Sequence, residues 1–150
     1  MRISVASAAL LLIFALPSAR AFASHDDELT DPAALADLES RADHAQPREQ
    51  AFMYTELIHD YVVVAGKQIA AGDMDKATES LKRVQNFAER IHADKNTKKV
   101  KNAETLMHMA TYRLSQFMHM VSNEDMAMLQ ATLKQLDKLH DQLLEQVFAH

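Results

Sequence analysis

Two Met-His-Met triplets, Met107-His108-Met109 and Met118-His119-Met120, are the first residues in this chain whose types could do chemistry. In a chain with no cysteine, thioether and imidazole are the soft and borderline ligands left for copper. Their spacing works against a shared ion. His108 and His119 are eleven residues apart, which on one helix is about 20° past three full turns and a rise of roughly 16 Å. Each histidine would need further ligands from another helix. Within a triplet the two methionines point about 100° to either side of the histidine, so a triplet is no chelate. Met107 also falls on an apolar seam, and Met118 flanks it, where methionine fills irregular core gaps readily. Copper on Met107, His108, Met109, Met118, His119 and Met120 is therefore carried as the alternative reading.

A second constellation appears when the helices are laid side by side with turns near residues 72, 95 and 122. Glu56, His59, Glu104, His108, Asp137, His140 and Asp141 then fall at one height. Glu56-x-x-His59 and Asp137-x-x-His140 have the i, i+3 carboxylate–histidine spacing, which recurs in ferritin-like di-metal bundles. Orientation argues against a metal pair. Relative to the seam of its helix, Glu56 points nearly opposite and His59 about 140° away; on the next-but-one helix His108 lies about 140° and Glu104 about 100° off.

His140 is the anomaly, since it takes a seam position otherwise held by leucine. The leading expectation is a core histidine hydrogen-bonded to Tyr61, Tyr54 or Glu104, a polar group that fixes helix register. The other reading is an axial ligand. Four-helix cytochromes of the b562 type hold haem with a Met on the first bundle helix and a His on the last, and Met53 and His140 stand in loosely similar places. That resemblance covers two residues and a topology, and it implies haem as a third-ranked cofactor after none and copper.

Other chemistries find no support. There is no Gly-rich phosphate loop, no GxSxG and no HExxH, so no catalytic residue is assigned and the chain is not read as an enzyme. Lys95, Lys98, Lys99 and Lys101 form a basic cluster at a helix start, where they oppose the macrodipole; the expectation is a solvated end. The face carrying His108, Tyr112, Ser115 and His119 has little charge. It is expected to be covered by the first helix, with a partner as the alternative.

The elements that must position these residues are helices. Only two glycines and three prolines occur in 150 residues, and residues that favour helix are abundant. Asp31 caps a short helix from Pro32 to about His44, with Leu35 and Leu38 as its apolar stripe. Pro47 opens a second, which runs to about Ala71 and stops at Gly72. Asp73 caps a third from Met74 to about His92. After a polar break at 93–97, a fourth runs from about Lys98 to Val121, and Ser122 and Asn123 lead into a fifth from Glu124 to about Phe148.

Four of these carry seams with steps of three and four: Tyr54, Ile58, Tyr61, Ala65 and Ile69; Met74, Ala77, Leu81, Val84, Ala88 and Ile91; Val100, Ala103, Met107, Ala110, Leu114, Phe117 and Val121; Leu129, Leu133, Leu136, His140, Leu143 and Val147. Such seams face partner helices. The expected fold is all-α, an antiparallel up-down four-helix bundle with an extra short N-terminal helix. Gly72, Asp73 and Ala77 also resemble the middle of a tetratricopeptide hairpin, but with no second copy in the last two helices a helical solenoid is the minor alternative.

Ahead of the helices lies a segment that reads as a secretory signal peptide over residues 1–23. Arg2 is basic, Val5 to Leu16 is apolar, and Ala19-Arg20-Ala21 and Ala21-Phe22-Ala23 are small-x-small sites. Cleavage is expected after Ala23, with Ala21 second. Residues 24–30 are expected to be a disordered tail, and 31–150 the helical bundle domain. Loss of Arg2 and Arg20 would take the formal charge from −5 to −7. An acidic chain is a poor nucleic-acid binder, and no other apolar run reaches the length of a membrane span. The resulting expectation is an exported helical-bundle protein, periplasmic or secreted, acting by binding as an interaction or accessory module. Its partner is an unidentified protein or a second copy of itself.

Overall fold

The structure is a computed structural model that describes residues 31–92 and 98–149. The expected signal peptide over 1–23 with its cleavage sites, the expected tail over 24–30 and the polar break at 93–97 lie outside the described residues. Among those described, the chain is all-helical. Helix α1 spans Pro32–His44, α2 Pro47–Ala70, α3 Met74–Arg90, α4 Val100–Phe117 and α5 Asn123–Phe148.

The expected punctuation is in place. Asp31 accepts from the Ala34 amide at 3.2 Å and Asp73 from that of Lys76 at 3.2 Å. The Ser122 hydroxyl oxygen accepts from the Asp125 amide at 3.4 Å. Each thereby satisfies a first-turn donor that has no intrahelical partner. Gly72 takes φ +76, a left-handed conformation cheap only for glycine. Its amide closes onto the Ile69 carbonyl at 2.9 Å, ending α2 tightly enough for α3 to fold back.

One expected helix is two elements. The fourth helix ends at Phe117 rather than Val121, and Met118–Met120 form a 3-10 turn. The second Met-His-Met triplet therefore lies off the helix that carries the first, and the eleven-residue helical register between His108 and His119 does not apply.

Helix α2 is central. Ala51, Tyr54, Leu57, Ile58, Val62 and Ala65 are buried on several of its faces at once, as expected of a helix apolar most of the way round. It packs against α1, α3 and α4; α5 packs against α4 and α3. Two levels show that α4 runs parallel to α2: the Lys98 amide donates to the Arg48 carbonyl at 2.9 Å, and the Phe117 ring reaches Gly66. Short connections make antiparallel neighbours of α2 with α3 and of α4 with α5. Helix α4 instead lies beside α2. Polar ties link α3 to α5, where Gln85 Nε2 donates to Thr132 Oγ1 at 2.8 Å and Gln135 Nε2 to the Gln85 carbonyl at 3.1 Å.

Helix α1 docks. Leu35, Leu38 and Ala42 are buried, and two polar anchors accompany them. Tyr61 donates to Glu39, which Arg83 also reaches at 2.7 Å. Tyr54 donates to Asp43 at 3.1 Å, which Arg90 contacts at 2.6 Å. The partner helices are α2 and, through the two arginines, α3. The expectation that this helix covers the His108–His119 face is thus corrected: Tyr112 is 62% exposed there, because α1 is held to α2 by its leucines and by Tyr54 and Tyr61.

Candidate functional site

The groove between α1, α2 and α4 brings acidic, basic and imidazole side chains together. It has a volume of about 470 Å³, within the range of small-molecule sites. Residues on α2 at i and i+3 or i+4 share a face, and here that face carries Glu56, His59 and Asp60. Leu38, Phe52, Met53, Leu106 and Met109 make the apolar walls, and Arg41, Lys99 and Arg113 add positive charge.

His59 is buried at 5% exposure. Its Nδ1 lies 3.0 Å from Asp60 Oδ1, so with Nδ1–H as donor the opposite nitrogen is an acceptor. That Nε2 is buried without a hydrogen-bond partner among the described residues, a condition shared only with Gln146 Oε1. A buried polar atom left unpaired costs about 1–3 kcal/mol, and native structures carry few of them.

Glu56 is half-buried, and its carboxyl is held above the ordinary 4.5. Burial is the main cause, Asp60 adds to it, and Lys99 and Arg41 oppose it. A carboxyl perturbed by desolvation, lining one cleft with a buried imidazole, marks a candidate functional site. At the basic end, Lys98 Nζ pairs with Glu49 at 2.7 Å and Lys99 Nζ stands 4.4 Å above the Phe52 ring. Lys98 and Lys99 are therefore engaged with α2, and Lys99 forms part of the groove.

On the opposite flank of α4, His140 Nε2 donates to Glu104 Oε1 at 2.9 Å. Its ring lies 5.5 Å from that of His108, and the His140 side chain is 18% exposed. Of the three expected partners Glu104 is the one used; Tyr54 and Tyr61 are engaged with α1. Met53 and His140 are not brought together. Met53 shares the groove with Leu106, Met109 and Arg113, roughly 150° around α4 from the Glu104–His108 side, so the two do not form an axial pair.

The methionines and histidines of the triplets are dispersed. Met107 is fully buried in the core, while His108 is exposed beside His140. Met109 opens onto the groove. Met118 packs against the core, and His119 and Met120 are exposed on the 3-10 turn. Among the described residues no group of three His, Asp or Glu side chains is arranged to hold a metal ion, and no helix is long and apolar enough to cross a membrane.

Sequence reasoning placed Glu56 and His59 together but pointed them away from the core. They do point away from the α3-facing seam; α1 and α4 cover that side as well. The legible signal was the uncharged stretch from Tyr61 to Gly66, which gives α2 no solvated side. No family model, no curated protein and no solved structure matches this chain, so its function is argued from the groove itself.

Proposed function

We propose that this chain is an exported binding module, built as a four-helix bundle of α2 to α5 with α1 as a flanking fifth helix, and that its binding surface is the α1/α2/α4 groove. The observation that carries this reading is the His59 imidazole, buried with one nitrogen unpaired among the described residues, lining with the half-buried Glu56 a groove with apolar walls. The large majority of buried side-chain polar atoms in native structures have a hydrogen-bond partner, which sets this nitrogen apart. Binding is favoured over catalysis by the partners of the pair. Asp60 orients His59, but no Ser or Thr hydroxyl bonds to either residue among the described residues, so no nucleophile is set beside the base.

Thermal melting of the purified protein against a panel of apolar anions, cations and zwitterions, together with Cu(I), Cu(II) and Zn(II), tests the reading. It is run on the wild type and on Met53→Trp, which fills the groove. A ligand that binds only the folded state at 100 times its dissociation constant adds about 2.7 kcal/mol, a clear upward shift. Shifts from organic ligands that vanish in Met53→Trp support the groove. Shifts that persist in the filled variant, or a response to metals alone, overturn it.

A further inference from the structure

We propose that His108 and His140 form a two-imidazole site for a divalent transition-metal ion, tightest for Cu(II), with Glu104 as the positioning residue behind His140. The site lies on the α4/α5 side of the molecule, apart from the α1/α2/α4 groove, and does not depend on it.

The two rings come from different helices and meet at the surface. Glu104 and His108 are four residues apart on α4 and share a face, and His140 of α5 contacts both. The ring centroids of His108 and His140 are 5.5 Å apart, with the planes tilted by 42°. Two imidazoles on one ion, with metal–nitrogen bonds of about 2.0–2.1 Å at tetrahedral angles, set their centroids roughly 5 Å apart. His108 is exposed, and its side chain has the ring contact with His140 but no hydrogen bond among the described residues. Its ring is therefore free to turn a nitrogen toward its neighbour.

His140 is oriented from behind. Its Nε2 donates to Glu104 Oε1 at 2.9 Å, which leaves Nδ1 with the lone pair. Among the described residues Nδ1 has no hydrogen-bond partner, yet it is not one of the buried unpaired atoms, so it is open to solvent. A metal-binding histidine usually gives its other N–H to a carboxylate, which fixes the tautomer and raises the basicity of the ligating nitrogen. Glu104 has that role here and is not a third ligand, in keeping with the absence of three convergent His, Asp or Glu side chains among the described residues. The first Met-His-Met triplet contributes His108 alone: Met107 is in the core, and Met109 opens onto the groove.

The ligand count selects the ion. Imidazole suits copper, nickel and zinc, and Cu(II) binds most tightly in that series. Zinc sites take three or four protein ligands, whereas two nitrogens completed by water suit the tetragonal geometry of Cu(II).

The test is titration of the purified protein with Cu(II) and, separately, Zn(II), on wild type, His108→Ala, Glu104→Gln and His119→Ala. Affinity is read by calorimetry and copper ligation by electron paramagnetic resonance, with melting as the check on folding. His108 is exposed, so its removal leaves the core intact. Cu(II) is expected to bind with nitrogen ligation and more tightly than Zn(II). His108→Ala and Glu104→Gln are each expected to weaken Cu(II) about tenfold or more. Glu104→Gln is also expected to shift the copper resonance, and His119→Ala to change nothing. Equal affinity in His108→Ala and wild type, or equal losses in His108→Ala and His119→Ala, would mean scattered binding to surface histidines and overturns the site. Zn(II) binding tighter than Cu(II) overturns the choice of ion. Loss in His108→Ala with Glu104→Gln unchanged overturns the positioning role and leaves the imidazole pair. Absence of copper binding by wild type overturns the inference outright.

Discussion

The ring of Phe117 occupies the space that a Cβ on Gly66 would need, with its Cζ overlapping that position. Here α2 and α4 make their close approach at one end, and the glycine is what allows it. An alanine in place of Gly66 would gain up to about 1 kcal/mol of helix propensity and would have to expel the ring, at a typical overpacking cost of about 1–3 kcal/mol. Gly66→Ala is therefore expected to destabilise the protein in denaturant unfolding. With Phe117→Ala in the background the same substitution is expected to stabilise by about 0.5–1 kcal/mol. A cycle in which Gly66→Ala has one sign in both backgrounds would refute the close-approach account.

Helix α1 is attached by three buried apolar residues and two aromatic–carboxylate–arginine anchors, so it should open more readily than the rest. Leu35→Ala removes burial worth about 2–3 kcal/mol. Hydrogen exchange is expected to show lost protection over residues 34–44, with the amides of Leu81, Met107 and Leu136 still protected. Uniform loss of protection would place α1 in the same cooperative unit as the other helices.

How far the sequence was legible depended on how many faces of a helix are covered. For α3 and α4 one stripe is buried, and the three-four steps marked it: Ala77, Leu81 and Val84, Ala103 and Met107 are all buried. On α5 the buried stripe is Leu129, Thr132, Leu136, Leu139 and Leu143, so the expected seam residues Leu133 and His140 stand one position off it and His140 is half-buried. For α2 the same rule found Tyr54, Ile58 and Tyr61 and missed Leu57, His59, Val62 and Val63, because a seam assigns one partner side and α2 has three. The site was missed for this reason. His140 was placed opposite Glu104 by counting levels from the turns, which needs no knowledge of the faces. The docking of α1 rests on Glu39 and Asp43 reaching Tyr61 and Tyr54, and nothing in an acidic residue on a short helix marks which hydroxyl it will meet.

Tyr61 carries a test of the α1 anchor. Burial, the hydrogen bond to Glu39 and that carboxylate's charge push its phenol up to about 12, against the opposing pull of Arg83. The folded state thus holds this proton more tightly than the unfolded chain, where the ordinary value is 10.0. The resulting stability is fully present below pH 10 and is lost as pH rises through about 12. Tyr61→Phe is expected to cost about 1 kcal/mol near neutral pH. The gap between variant and wild type should narrow above pH 10, and the highest phenolate absorbance step should disappear. A gap that stays constant to the alkaline limit would show that the bond to Glu39 contributes nothing to folding.

Glu56 gives the corresponding test at acid pH, and it links the site to stability. Its carboxyl is raised above 4.5 by burial and by Asp60 on its own helix, while Lys99 at the start of α4 and Arg41 on α1 pull it down. A raised carboxyl contributes stability below its unfolded value, which is lost as pH rises through the folded one. At neutral pH the ionised, half-buried group is therefore a burden on the fold. Glu56→Gln removes the charge and keeps the shape. It is expected to raise the melting temperature at neutral pH, with the gain shrinking toward zero as pH falls below 4.5. The same variant is expected to weaken ligands of the groove, because Glu56 is one of the residues that line it. Stability gained with binding lost is the pattern of a site held against the interest of the fold. Lower stability at neutral pH, with binding unchanged, would make Glu56 a structural residue and remove the floor from the groove.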